Sequence, residues 1–417
     1  MKICVASMDG AGLSWIPRLQ QEGHTVLLWD LKKSFSEHIG EGIVKVTVAY
    51  PAVAAFKPDF IVFDSSGGGR IAEQVSNHFP TYGSSSLHDE LELDRDNSLQ
   101  LCKLNGIHVS NMYSTKSYSE AINYVRKHKQ AVALKLSGIK YAGSSVTYVS
   151  RAPEDAIVML ELYKEKFKNV DIVVQDKVEG IEISTAGFFD GEKFLPTFYH
   201  TLERKKAFND DLGPSVGCAG DVIWNTKENH IARQGLMKLA KSLKDLNFYG
   251  EIDLNSIVDE KGNVWALELT PRFGYNASLS WFTTLNMDLG DLLCQLANRK
   301  LKNIKTKSGY GVSTTVFIPP FPSTKTSLME AGVPILGLEK DDLVWFCPMS
   351  VKRTSDIVTS IKSDGWIGSP CTYNANMWTA LSENYDKIKK LIIPNVGYRT
   401  DIGVDAAKSL KGLKKWL

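Results

Sequence analysis

Glu251-Ile252-Asp253-Leu254-Asn255, a turn at Asp259-Glu260-Lys261-Gly262-Asn263, and Ala266-Leu267-Glu268-Leu269-Thr270-Pro271-Arg272-Phe273-Gly274 decide how this chain is read. Two apolar runs joined by a glycine-bearing turn predict a hairpin, with strands over Tyr249–Val258 and Val264–Leu269. Asp253 and Asn255 alternate with Ile252 and Leu254, so their side chains share one face. Glu268 stands in an otherwise apolar strand, and the hairpin brings it to the same place. Hard oxygen donors so grouped suit Mg²⁺ held against phosphates. Arg272 follows closely and can neutralise a transferring phosphoryl group. A structural ion pair between Glu268 and a neighbouring lysine fits the same pattern.

Two upstream stretches bear on the same chemistry. In Leu134-Lys135-Leu136-Ser137-Gly138, a lysine sits inside an apolar strand. A buried ammonium needs an anionic partner, and a nucleotide phosphate would serve. A small-residue loop follows, whose N–H groups could close over phosphates. A lysine on a sheet edge is the alternative. No G-x-x-x-x-G-K-S/T loop occurs. In Ile172–Ser184 an apolar strand runs through Gln175-Asp176-Lys177-Val178-Glu179-Gly180 to Glu182 at the head of the next strand. Such a hinge can offer backbone groups to adenine and a carboxylate to ribose, or it is an ordinary strand connection. A second hairpin is expected over Glu182–Leu202, closed by Asp190-Gly191.

The first ninety residues alternate strand and helix signals. Strands are expected at Ile3–Ser7, Thr25–Trp29, Val44–Val48 and Asp59–Phe63, and a helix at Leu13–Glu22. This βαβ rhythm predicts an α/β fold with a parallel sheet, whose ligands sit beyond the carboxyl ends of the strands. Two loops fall there: Met8-Asp9-Gly10-Ala11-Gly12, and Asp64-Ser65-Ser66-Gly67-Gly68-Gly69-Arg70. Both read as tight turns or as an anion or substrate site. Further on, the patterns predict a long helix at His230–Leu246 and strands at Gly311–Ile318 and Leu343–Phe346.

The chain has 417 residues, 43% hydrophobic and 23% charged, with net charge +2. That length implies several domains, and the balance gives no electrostatic case for nucleic acid or an anionic membrane. No run of about 18 apolar residues occurs. The six cysteines form no C-x-x-C pair or zinc spacing, which points to a reducing compartment. Without a signal-peptide pattern, a cytoplasmic location is expected.

In this order and spacing the features resemble the ATP-grasp superfamily, and within it the phosphoribosylamine–glycine ligases (glycinamide ribonucleotide synthetases). The resemblance implies an ATP-grasp domain at 93–300, with a mobile lid at about 112–182. A Rossmann-like domain at 1–92 would precede it, and a small mixed α/β domain at 301–417 would follow. It implies that Arg95, Lys135, the loop Gly143-Ser144-Ser145, and Gln175, Lys177, Val178 and Glu182 bind ATP. Glu268-x-Thr270-x-Arg272-Phe273-Gly274 resembles the family's metal-binding E-x-N-x-R-F-G. Glu268, Asp253 or Asn255, and Thr270 would thus hold Mg²⁺, with Mn²⁺ as an alternative. Lys135 and Arg272 would be catalytic. Glu203-Arg204-Lys205-Lys206 through Asp211–Gly220 resembles its substrate loop, with Lys205, Gly213, Pro214 and Gly217 implied to contact substrate, and Tyr398-Arg399-Thr400-Asp401-Ile402-Gly403 resembles its closing R-x-D-I-G.

There are departures. The family's N-terminal G-G-R-E-H-A is replaced by Asp9–Ser14, and its G-P-E by Asp64–Gly67. The metal asparagine is Thr270, and the D-P-E after R-F-G is Tyr275-Asn276-Ala277. Gly67, Gly68, Gly69 and Arg70 are therefore expected to contact substrate differently. The expected reaction is ATP-dependent amide formation through an acyl phosphate. An amino acid such as glycine would give the carboxylate, and an amine other than phosphoribosylamine would attack. A true phosphoribosylamine–glycine ligase, or a non-catalytic nucleotide-binding protein on the same scaffold, are the alternatives. The expected partners are small molecules, and the expected assembly is a monomer or homodimer.

Overall fold

The computed structural model describes residues 1–32, 38–83, 85–137, 147–322 and 332–417. Its first sheet is parallel, in the spatial order Lys45–Thr47, Thr25–Asp30, Lys2–Ser7, Phe60–Phe63, Thr81–Tyr82. The continuous apolar strands are buried on both faces, as parallel sheets require. The two glycine loops meet at the carboxyl ends of these strands. Buried Asp64 joins them, accepting from the Ser7 hydroxyl and, at 2.5 Å, from the Gly12 N–H. Gly69 is required by a close approach, because a Cβ there would lie 2.3 Å from the Ser86 nitrogen.

The central sheet is antiparallel and seven-stranded, ordered Val264–Thr270, Gly250–Val258, Ile181–Phe189, Phe194–Glu203, Gly220–Thr226, Tyr310–Thr314, Cys371–Asn374. Both expected hairpins are present. The stretch after residue 300 supplies two strands to this sheet. A third, four-stranded sheet is ordered Met112–Thr115, Asp171–Asp176, Val132–Ser137, Thr147–Val149. Helices Tyr118–His128 and Pro153–Lys166 pack on it and close a separate core around Val125, Leu134, Leu160 and Val174.

Aromatic side chains join the first sheet to the central one. Phe273 is buried, and its ring lies 5.7 Å from both Trp15 and Tyr82. This anchors the residue that follows Arg272.

Two expected elements differ. The His230–Leu246 helix is broken into His230–Gln234, a 3-10 turn at Leu236–Leu239, and Ala240–Asp245. The break falls at Gly235, whose φ of −112° and ψ of −109° are not helical. Leu343–Phe346 is a helical turn, not a strand. Its short apolar run carries no period that separates the two states.

Candidate active site

In the hairpin, Asn255 lies opposite Glu268 and Asp253 opposite Thr270. Directly opposed residues project from the same face of a sheet, so these four side chains form one row. Leu267 is an extra residue between the Glu268 and Ala266 pairings, a bulge that re-aims the strand. The Glu268 carboxylate accepts from the Arg95 guanidinium, at the start of helix Arg95–Leu104. The ion pair allowed for Glu268 therefore exists, with arginine in place of lysine. Asn255 donates to Glu182 Oε1 at 3.1 Å, and its own Oδ1 is buried with no hydrogen-bond partner among the described residues.

Lys135 Nζ donates to Gln175 Oε1 at 2.7 Å, and Gln175 Nε2 donates to Ser110 Oγ at 2.7 Å. Among the described residues, the direct partner of this ammonium is thus an amide, not an anion. Burial and the charge of Arg95 push the Lys135 pKa down to about 7, against the pull of Glu268 and Glu182. Lys205 is drawn to Glu203 and lies 3.7 Å from Glu182. Burial opposes its charge, but Glu203, Glu182 and Glu268 raise its pKa well above the ordinary lysine value. Burial also opposes the charge of Glu268, yet Arg95, Lys205 and Lys135 hold it below the usual glutamate value. Burial and Glu203 push Asp253 up to about 7.

The cluster therefore interleaves three cations with four carboxylates. Desolvation and like charge leave Lys135 and Asp253 incompletely compensated. A polyphosphate would satisfy Lys135, and a metal cation would satisfy Asp253 and the orphaned Asn255 oxygen.

Arg272 forms a second centre. Its Nη2 and Nε donate to the two oxygens of Glu92 at 2.5 and 3.1 Å. Its guanidinium lies 4.3 Å from the Tyr275 ring centre. Ser66 Oγ donates to Glu92 Oε2 at 2.7 Å, so the glycine loop reaches Arg272 through Glu92. Gly67 and Gly68 lie between that contact and Gly69, whose N–H donates to Asp89 at 2.8 Å. Arg70 is exposed beside Glu73 and outside this network.

Gly213 and Pro214 lie on a small hairpin, Lys206–Phe208 with Leu212–Ser215, and Gly217 follows it. Gly213 has a φ of +81°, and a Cβ there would meet the Phe208 ring at 2.4 Å. Buried Arg399 holds the hairpin, donating to Asp211 Oδ1 at 2.8 Å, the Lys206 carbonyl at 3.1 Å, and Asp401 at 2.7 Å. Lys205 alone of this loop's predicted residues enters the carboxylate cluster. At the hinge, Gln175 and Glu182 enter it, whereas Lys177 pairs with Glu179 at 2.7 Å and Val178 is half-buried. Gly143, Ser144 and Ser145 lie outside the described residues.

Sequence reading missed Glu92, Ser110 and the partnership of Glu203 with Lys205. Glu92 sits in an acidic, solvated-looking helix 180 positions from Arg272, and no local pattern marks it.

Residues 94–274 match the family model described as the phosphoribosylglycinamide synthetase ATP-grasp (A) domain. A phosphoribosylamine–glycine ligase of Leptospira interrogans is 22% identical over 344 residues, covering 79% of this chain and 78% of that protein. The crystal structure of the Thermotoga maritima phosphoribosylamine–glycine ligase superposes with a TM-score of 0.74 at 15% identity. It covers 96% of this chain and 100% of that one. A biotin carboxylase from Campylobacter jejuni shares the fold with a TM-score of 0.65 at 12% identity, over 99% of this chain and 96% of that one. With this fold and this carboxylate–cation row at residues 94–274, the chain is an ATP-grasp enzyme of the carbon–nitrogen ligase type, close to the phosphoribosylamine–glycine ligases.

Proposed function

We propose that this ligase uses ATP to activate the carboxylate of an amino acid such as glycine and joins it to an amine other than phosphoribosylamine. The observation that carries the reading is the row Asp253, Asn255, Glu268 and Thr270, faced by Lys135, Arg95 and Lys205. In this reading Lys135 and Arg95 hold ATP phosphates, Arg95 exchanging its carboxylate partner for them. The hinge at Gln175, Lys177 and Val178 takes the adenine, Glu182 the ribose, and Gly143-Ser144-Ser145 the phosphates.

Glu268 and Asn255, with Asp253 and Thr270 beside them, hold Mg²⁺ or Mn²⁺. A bound divalent ion would neutralise phosphate charge there. Arg272 steadies the acyl phosphate, and the amine nitrogen displaces phosphate from it. The protein's own contribution is positioning and charge stabilisation. The changed loops at Asp9–Ser14 and Asp64–Arg70, stitched through Asp64, support a changed amine.

The resemblance to phosphoribosylamine–glycine ligases favours a second reading, a true phosphoribosylamine–glycine ligase. The experiment is ADP release from Mg²⁺-ATP and glycine, with and without phosphoribosylamine generated in place. Glycine-dependent ADP release with other amines, and none with phosphoribosylamine, supports the first reading. Turnover that requires phosphoribosylamine supports the second. In either case Glu268→Ala should lower ADP release at least about a thousandfold while leaving the melting transition in place. Retained turnover would remove Glu268 from the metal site.

A further inference from the structure

A cleft of about 270 Å³ opens between the first glycine loop, at Asp9, Gly10 and Ala11, and the C-terminal stretch, at Met349, Asp364 and Trp366. It adjoins the Arg272 centre, because the Trp366 ring lies 6.4 Å from the Tyr275 ring on which Arg272 rests. Its chemistry is one-sided. Among the described residues lining it there are two carboxylates, an indole and no lysine or arginine.

The Trp366 ring is held by its Nε1, which donates to Gly368 O at 3.2 Å and Ser369 Oγ at 3.1 Å. Burial and the charge of Asp9 raise the Asp364 pKa. Behind the loop, burial and the same charge push Asp64 up to about 7. A cation between Asp9 and Asp364 would offset this like charge. In the neighbouring centre, Arg272 donates to both oxygens of Glu92.

We propose that this cleft receives the amine substrate, and that the amine carries a second positive charge and no phosphate, a diamine being the simplest member. The inference rests on the ligase reading above and names the class of its amine. Asp9 and Asp364 pair with the distal ammonium, and Trp366 lies along the methylenes or against the ammonium, as indole rings do with cations. The neutral terminal nitrogen attacks the acyl carbon beside Arg272. The C–N bond forms, the bond from carbon to phosphate oxygen breaks, phosphate leaves, and the nitrogen's extra proton passes to solvent. A phosphorylated amine would set its dianion against Asp9 and Asp364, with no lysine or arginine among the described residues that line the cleft.

The test uses the full chain with Mg²⁺-ADP and measures, by calorimetry, binding of 1,4-diaminobutane and of 4-aminobutyl phosphate. ADP release is then assayed with each amine and the twenty amino acids. The diamine should bind at least tenfold tighter than the phosphate ester. Asp9→Asn with Asp364→Asn should weaken the diamine at least tenfold while sparing ADP affinity. Asparagine keeps the acceptor that Asp9 offers the Ala11 N–H at 3.1 Å, so the loop is retained. Trp366→Leu should weaken the diamine several-fold. Tighter binding of the phosphate ester, no diamine binding, or no effect of the paired Asn variant overturns the inference. ADP release driven only by the phosphorylated amine also overturns it and leaves the ligase reading standing. Diamine binding that the Asn pair abolishes, with no ADP release for any amino acid, keeps the cation cleft and defeats the ligase reading.

Discussion

Lys135 shows how a single side chain can report on its ligand. With its pKa pushed down to about 7, it is largely neutral at pH 8 in the free protein. A polyphosphate beside it favours the ammonium, so ATP binding at pH 8 should take up close to one proton. ATP affinity should then fall by up to about tenfold per pH unit above pH 7. Calorimetry in buffers of different ionisation enthalpy measures the uptake, and Lys135→Ala should abolish it.

Glu251 gives the opposite sign. It is wholly buried, accepts from Tyr199 at 2.7 Å, and leaves Oε2 without a partner among the described residues. Burial and Asp253 raise its pKa well above the ordinary 4.5. A raised folded value means stability that is full below pH 4.5 and is lost as pH rises through the folded value. Glu251→Gln should flatten that decline by about 1 kcal/mol or more between pH 5 and 8, read from urea midpoints. An unchanged slope would mean that Glu251 is ionised in the fold.

Among the elements, the hairpin at Lys206–Ser215 depends on a residue nearly two hundred positions away. Its exposed strands bury little, and Arg399 holds it through Asp211 and the Lys206 carbonyl. Arg399→Ala should destabilise the protein by about 2–3 kcal/mol, since Asp401 loses a charged partner. It should also speed tryptic cleavage at Lys205 or Lys206. Unchanged cleavage would show that the hairpin keeps its shape without this clasp. Both Gly213 and the Arg399 motif were visible in the sequence, but their cooperation was not. Local pattern marks a turn and an arginine, and only the packed chain brings one to the other.

For the whole molecule, the sheet Met112–Asp176 has its own core, and it meets the rest near the Lys135–Gln175–Ser110 chain of hydrogen bonds. We propose it as the lid over ATP. Its amides should exchange faster than those of the seven-stranded sheet and slow several-fold when Mg²⁺ and a non-hydrolysable ATP analogue bind. Exchange unchanged by nucleotide would argue for a fixed sheet.

What the sequence determined by itself was whatever depends on neighbouring residues. Period-two alternation with Asp259–Asn263 specified the hairpin that carries Asp253, Asn255 and Glu268, βαβ rhythm specified the parallel sheet, and Glu268 and Lys135 were conspicuous as charges in apolar strands. What only the tertiary structure decided was the partnership of charges. Arg95 with Glu268, Glu92 with Arg272 and Glu203 with Lys205 all follow from that packing, as does the meeting of Asp9 with Asp364 across a cleft. Electrostatic pairing depends on distance and burial, and long-range packing sets both. A helix that looks solvated in sequence, such as Ser86–Leu93, can therefore still deliver the carboxylate that pairs with Arg272.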